Sequence, residues 1–154
     1  MSLTPGEKIE GTPESDKING TSGNDSITGH KGADKLKGGK GDDILEGKKG
    51  NDILKGGADN DILSGGKGSN TLHGGHGRDT FIIGQGTDLI KDFNINKDML
   101  EVPNSNYSIV DNGANSQITF MTSGSNSEIM ATIVGVDAST LEDNSSNIIQ
   151  ISEA

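Results

Sequence analysis

Asp16, Asp25, Asp34, Asp43, Asp52, Asp61 and Asp79 stand in a nine-residue series, with Asn70 filling its one remaining step. Carboxylate and amide side chains are hard oxygen donors. They suit Ca2+, which accepts six to eight oxygens in flexible geometry. Zinc calls for thiolates or clustered imidazoles, and the chain has no Cys. The series also carries a burden, because carboxylates stacked at regular intervals repel one another. The chemistry implied is therefore cation binding, and the residues that bind would be destabilising without the cation.

The elements that must position these groups follow from the surrounding spacing. Eight units run from Gly11 to Ile82 without insertion or deletion on the frame Gly-x-x-Gly-x-Asp-x-Ile/Leu-x. Gly11, Gly20, Gly29, Gly38, Gly47, Gly56, Gly65 and Gly74 open the units. Ile18, Ile27, Leu36, Leu45, Leu54, Leu63, Leu72 and Phe81 hold the eighth place. Positions one to six read as a Gly/Asp turn, since glycine supplies the positive φ that tight turns demand. Positions seven to nine read as a short strand with one inward side chain, because side chains alternate faces. A single unit cannot bury that side chain, so neighbouring units must stack.

With two units per coil, alternate units lie above one another and form two short-stranded parallel sheets. About four coils give roughly 19 Å of stack. The expected fold is all-β: a right-handed parallel β-roll with a C-terminal capping β structure. Equivalent turns are then eighteen residues apart. One edge pairs Asp16/Asp34, Asp34/Asp52 and Asp52/Asn70, and the other pairs Asp25/Asp43, Asp43/Asp61 and Asp61/Asp79. Six shared sites would bring twelve positive charges to a chain of formal charge −10. With 29% hydrophobic residues and one core side chain per unit, the array depends on that counter-charge to escape the disorder of an acidic polymer.

Units such as Gly38-Gly-Lys-Gly-Asp-Asp-Ile-Leu-Glu46 and Gly47-Lys-Lys-Gly-Asn-Asp-Ile-Leu-Lys55 closely resemble the RTX, or haemolysin-type, calcium-binding nonapeptides. The resemblance covers residues 11–82. It implies Ca2+ between alternate repeats, with the sixth-position residues as ligands, in bacterial proteins exported by type I secretion through an uncleaved C-terminal signal. Asn147–Ala154 is the candidate for that signal, and a final edge strand is the other reading of the same residues. Three departures mark the weaker sites: Pro13 and Glu14 in the first turn, Asp59 at a fourth position, and Asn70 at a sixth.

Three segments are expected: an extension over 1–10, the repeat roll over 11–82, and a C-terminal β cap over 83–154. Met1-Ser-Leu3 reads as a cloning scar. The tail shows no nonapeptide register, but strand-like patches at Asp88–Asn94, Asp98–Val102, Tyr107–Asp111, Gln117–Thr122, Glu128–Val136 and Asn147–Ile151. Phe81, Leu89, Ile90 and Phe93 could seal the open end of the roll. Outward seventh positions become Ile44, Ile53 and Ile62 in the middle units. They serve either as strand formers or as a contact patch.

Catalytic signatures are missing: the sequence contains no Gly-x-Ser-x-Gly, no His-Glu-x-x-His and no Cys nucleophile. His73 and His76 flank Gly74-Gly75 and read better as exposed turn residues than as a metal site. The acidic balance opposes nucleic acid, and no apolar run approaches a membrane span. Weak calcium sites suit an extracellular setting. The expected function is a non-enzymatic calcium-binding module that folds on Ca2+ binding and stabilises or aids export of a secreted bacterial protein. The alternative is a cell-surface adhesion or carbohydrate-contacting module that uses the roll as scaffold. Possible partners are a parent-protein domain or a glycan.

Overall fold

Three-residue strands carrying one apolar side chain can be satisfied only by pairing with equivalent strands, and the register shows how. In the computed structural model, residues 6–102, 107–111, 115–121, 127–136, 139–140 and 149–151 are described. The strands are β1 (Lys8–Glu10), β2 (Lys17–Asn19), β3 (Ser26–Thr28), β4 (Lys35–Lys40), β5 (Ile44–Glu46), β6 (Ile53–Ala58), β7 (Ile62–Ser64) and β8 (Ser69–His76). They continue as β9 (Thr80–Ile82), β10 (Thr87–Ile90), β11 (Met99–Val102), β12 (Tyr107–Asp111), β13 (Asn115–Met121), β14 (Ser127–Val134) and β15 (Ile149–Ile151).

Odd and even units separate into two sheets. One runs β1-β3-β5-β7-β9-β11-β15, and the other runs β12-β13-β14-β10-β8-β6-β4-β2. Within the repeats every pairing is parallel at an offset of eighteen residues, as Leu45↔Leu63 and Leu36↔Leu54 illustrate. The eighth-position side chains thus form two columns that face each other. Ile27, Leu36, Leu45, Leu54, Leu63, Leu72 and Phe81 are all essentially inaccessible to water. Ile18 and Ile9, at the open N-terminal end, are only partly covered. Each buried aliphatic contributes on the order of 2 kcal/mol, so the core is regular but thin.

The parallel stack extends beyond the eight units. Ile9 pairs with Ile27, which seats β1 in the first sheet. At the other end β10 pairs with β8 at the same eighteen-residue offset. The tail therefore does keep the register at first. Gly86, Asp88 and Ile90 occupy the fourth, sixth and eighth places of a ninth unit whose first residue is Ile83. Ile83 in the opening place hid this unit from a pattern that began with glycine. One inserted residue then changes the offset, so that Phe81 pairs with Leu100. The solenoid has about five turns rather than four.

The C-terminal cap is a β structure. β12, β13 and β14 form an antiparallel meander, and β14 joins β10 in parallel. β15 adds to β11, which extends the first sheet. Ala131 and Ile133 of β14 close over the core, and Phe93 packs on Phe81 with ring centroids 5.9 Å apart and planes tilted 51°. Leu89, expected beside these residues, lies on the partly exposed face of β10, while Ile90 is buried. Ile44 and Ile62 are 44% and 37% exposed, neighbours on one sheet. The proposed signal Asn147–Ala154 lies outside the described residues except for β15.

Candidate metal centre

The sixth-position side chains line the inner side of each turn edge and are linked along the axis. The N–H of Asp16 donates to Asp34 Oδ1 at 2.8 Å, Asp34 to Asp52 at 2.8 Å, and Asp52 to Asn70 Oδ1 at 3.0 Å. On the other edge Asp25 donates to Asp43 at 2.8 Å, Asp43 to Asp61 at 2.9 Å, and Asp61 to Asp79 at 3.0 Å. The edges thus contain the ladders that the spacing implied, with every neighbour eighteen residues away. From Asp25 onward all these aspartates, and Asn70, are buried.

Each aspartate therefore spends one oxygen on its neighbour, and the other oxygen is the informative one. Oδ2 of Asp34, Asp43, Asp52, Asp61, Asp79 and Asp88 is buried without a hydrogen-bond partner. An unpaired buried carboxylate oxygen costs roughly 1–3 kcal/mol, and more when charged. Opening glycines create its space: a Cβ on Gly38 or Gly56 would overlap Oδ2 of Asp43 or Asp61. In the first coil the protein itself closes this oxygen. The Thr12 N–H meets Asp16 Oδ2 at 2.6 Å, and the Thr21 N–H meets Asp25 Oδ2 at 2.6 Å.

Electrostatics match this division. Burial, with the neighbouring carboxylates, pushes Asp43 up to about 6, Asp61 up to about 7 and Asp79 up to about 6. Burial also raises Asp52 and Asp98. Asp25 goes the other way: burial opposes its charge, but the N–H groups of Thr21 and Glu7 outweigh it and hold the carboxyl below its usual range. A cation is the missing partner where the donors are oxygen and the charge is negative. Among the described residues no three His, Cys, Asp or Glu side chains converge on a point. A cation between two such side chains would have to complete its shell from turn carbonyls, which fits calcium and not zinc.

Asn70 departs from the aspartate pattern. Its Oδ1 accepts from Asp52, and its Nδ2 donates to Asp88 Oδ1 at 2.9 Å. An amide donor stands here where the units from Asp34 onward otherwise have an unpaired oxygen. Burial pushes Asp88 up to about 6 despite this bond. Asp88 and Asp98 both belong to the ladders and were missed by the sequence pattern. Asp88 was legible from its eighteen-residue distance to Asn70, whereas Asp98, nineteen residues after Asp79, was hidden by the insertion. Asp98 is closed by protein donors, accepting from Asp79 at 3.0 Å and Asn94 at 2.8 Å.

A second column escaped the sequence pattern. Fifth-position side chains accept N–H groups from the unit eighteen residues later: Asp42 donates to Asn24 Oδ1, Asn60 to Asp42 Oδ1, and Arg78 to Asn60 Oδ1. Its direction along the axis is opposite to that of the sixth-position ladder. The recurrence of Asn, Asp and Ser at that place was its signal. The imidazoles form no comparable site: His73 is half-buried on β8, and His76 is exposed.

Residues 10–45, 37–72 and 55–90 match the model of the RTX calcium-binding nonapeptide repeat (4 copies). No curated protein matches the chain significantly. Among solved structures, the AlgE6R3 subunit of the Azotobacter vinelandii mannuronan C5-epimerase is similar at 22% identity. The alignment covers 92% of this chain and 80% of that one, with a TM-score of 0.45. The AlgE6R2 subunit of the same enzyme is 26% identical over 87% of this chain and 91% of that one, with a TM-score of 0.35. The extracellular lipase LipA from Serratia marcescens is 15% identical over all of this chain and 41% of its own length, with a TM-score of 0.40.

Proposed function

Because this chain belongs to the RTX calcium-binding nonapeptide-repeat family, we propose that it is a module whose folding is gated by Ca2+ and which stabilises, or aids the export of, an extracellular bacterial protein. It binds calcium as a β-roll, and the module is non-catalytic. The ligands are the sixth-position side chains: Asp34, Asp43, Asp52, Asp61 and Asp79, joined by Asp88 of the ninth unit, with Asn70 and the protein-closed Asp16 and Asp25 as the weakest members. Up to about six ions are held, each between side chains one coil apart and the carbonyls of their turns. When bound, calcium supplies the positive charge that the buried carboxylates lack.

The observation that carries this reading is the set of six buried carboxylate oxygens without a partner. The chain's own residues prepare the rest. Glycine at position one opens the space, the N–H ladder orients each carboxylate, and the fifth-position column ties the turns together. Folding and binding are then one equilibrium, because the unfolded chain has no preformed site. Each ion at 100 times its Kd adds about 2.7 kcal/mol of stability. We propose the segment 11–82 as the body of the calcium-responsive roll, continued by the ninth unit, with the remainder of 83–154 as its cap. Circular dichroism in chelator, followed by calcium titration, tests the proposal: little β signal should give way to a cooperative gain. Full native β content persisting in chelator overturns it.

A further inference from the structure

The two sheet faces differ in charge as sharply as two proteins would. In the first sheet β3, β5, β7, β9 and β11 carry no Lys or Arg, and β1 carries only Lys8, which pairs with Glu10 at 3.0 Å. Their counterparts β2, β4, β6 and β8, with the residue after β10, present Lys17, Lys35, Lys37, Lys55 and Lys91, all exposed. Register places Lys17 directly opposite Lys35, and Lys37 opposite Lys55, with His73 next in that column. Like charges directly opposite each other destabilise a sheet. The chain has 23 Asp and Glu residues, yet none stands on the outward side of these strands. The ion pairs found among the described residues involve Lys8, His30, Lys48 and His73, and none of these five lysines.

We propose that this face binds a linear acidic polysaccharide lying along the roll axis. Rungs of a parallel sheet recur about every 4.8 Å, a step on the scale of one sugar ring, so successive lysines meet successive acidic sugars. A shallow groove of about 300 Å³ runs between Lys17, Lys35, Lys37, Ile53 and Lys55, with Asn19 at its end. Asn19, Thr71 and His73 offer hydrogen-bonding groups to hydroxyls between the charges. The stripe is only two outward positions wide, which fits a single extended chain better than a lipid plane. These strands present no outward Phe, Tyr or Trp for base stacking, and the turn edge of Asp42 and Asp59 repels a thick polyphosphate duplex.

The test uses the whole chain at saturating calcium, with circular dichroism confirming the fold independently of binding, so that a failure of calcium gating would be seen separately. A galacturonic acid decamer should bind with salt-sensitive affinity, and a maltodextrin of equal length should not. Replacing Lys35, Lys37 and Lys55 together by Gln should weaken binding about tenfold or more without moving the calcium midpoint. K49Q/K67Q, on a turn edge, should leave it unchanged. If the triple variant folds poorly, K37Q and K55Q singly should each weaken binding roughly two- to threefold. Undiminished binding by the lysine variants overturns the proposal, because calcium bridging would then suffice. Tighter binding to single-stranded DNA or to vesicles of anionic phospholipid than to the decamer overturns it as well.

Discussion

The two turn edges are built on one nine-residue frame, yet they solve their charge problem differently. The edge of Asp25, Asp43, Asp61, Asp79 and Asp98 is an unbroken run of carboxylates, with Asp42 and Asp59 adding charge outside it. Three of its members are pushed up to about 6 or 7. The edge of Asp16, Asp34, Asp52, Asn70 and Asp88 is interrupted by an amide, and His30, Lys31, Lys48 and Lys49 line its rim. Backbone geometry differs too. Second positions on the acidic edge after Thr21 are Gly39, Gly57 and Gly75, whereas the other edge holds His30 and Lys48 at φ 77° and 74° before Gly66. The acidic edge has its left-handed non-glycine residue at a fourth position, Asp59 at φ 77°. A shared repeat therefore need not mean shared energetics: one edge is an unbroken run of carboxylates, and the other is interrupted by an amide. Each nevertheless keeps three unpartnered buried oxygens, and Asp88 is pushed up to about 6.

Limiting calcium should separate the edges most strongly. In hydrogen exchange at sub-saturating Ca2+, the amides of Asp43 and Asp61 should lose protection by at least tenfold more than those of Asp34 and Asp52. Equal loss along both edges would break the comparison.

Exchange of single ladder atoms should come next. D61N removes a charge crowded by Asp43 and Asp79. It should raise metal-free stability at pH 7.5 by roughly 1–2 kcal/mol while raising the calcium midpoint. N70D should do the reverse on the other edge. It replaces the donor to Asp88 by a carboxylate, lowers metal-free stability by a similar amount, and makes that edge as calcium-dependent as its partner. Urea unfolding at a series of calcium concentrations, extrapolated to zero calcium, reads both signs.

Acidity gives a smaller, graded effect. Asp43, Asp61, Asp79 and Asp88 bind protons more tightly when folded than when unfolded. The folded state then holds more protons than the unfolded one between about pH 4 and 7, so metal-free stability falls as pH rises through that window. Protons also compete with calcium, so the calcium midpoint should be higher at pH 6 than at pH 7.5. Circular dichroism titrations at the two values measure it, and a pH-independent midpoint would contradict the ladder's charge state.

Backbone strain supplies the smallest effect. K48G relieves a left-handed residue on the basic edge at the cost of unfolded-chain entropy. The expected gain is roughly 0.5 kcal/mol, visible in thermal unfolding at saturating calcium. The matching change G57A on the acidic edge should destabilise, because its φ is 135° and Gly39 O lies against the added carbon.

Much was legible in the sequence because the repeat ties ligand, turn and core to one period. The period of nine set the inward Leu and Ile columns, the eighteen-residue neighbours and the hard-oxygen chemistry. It did not set every strand length, since β4, β6 and β8 run six, six and eight residues, into positions that the frame assigned to turns. Once a unit must bury its eighth residue by stacking, little freedom remains. The tertiary structure decided what a period cannot encode. It placed β1, Asp88 and Asp98 in the stack, since pairing tolerates Ile83 for glycine and one inserted residue where a pattern does not. It showed which Oδ2 atoms are left alone and which are closed by Thr12, Thr21 or Asn94, because a hydrogen bond depends on where side chains meet across coils. It also gathered lysines from separate units onto one face. Charge segregation of that kind arises from the alternation of side chains and coils in space, not from proximity along the chain.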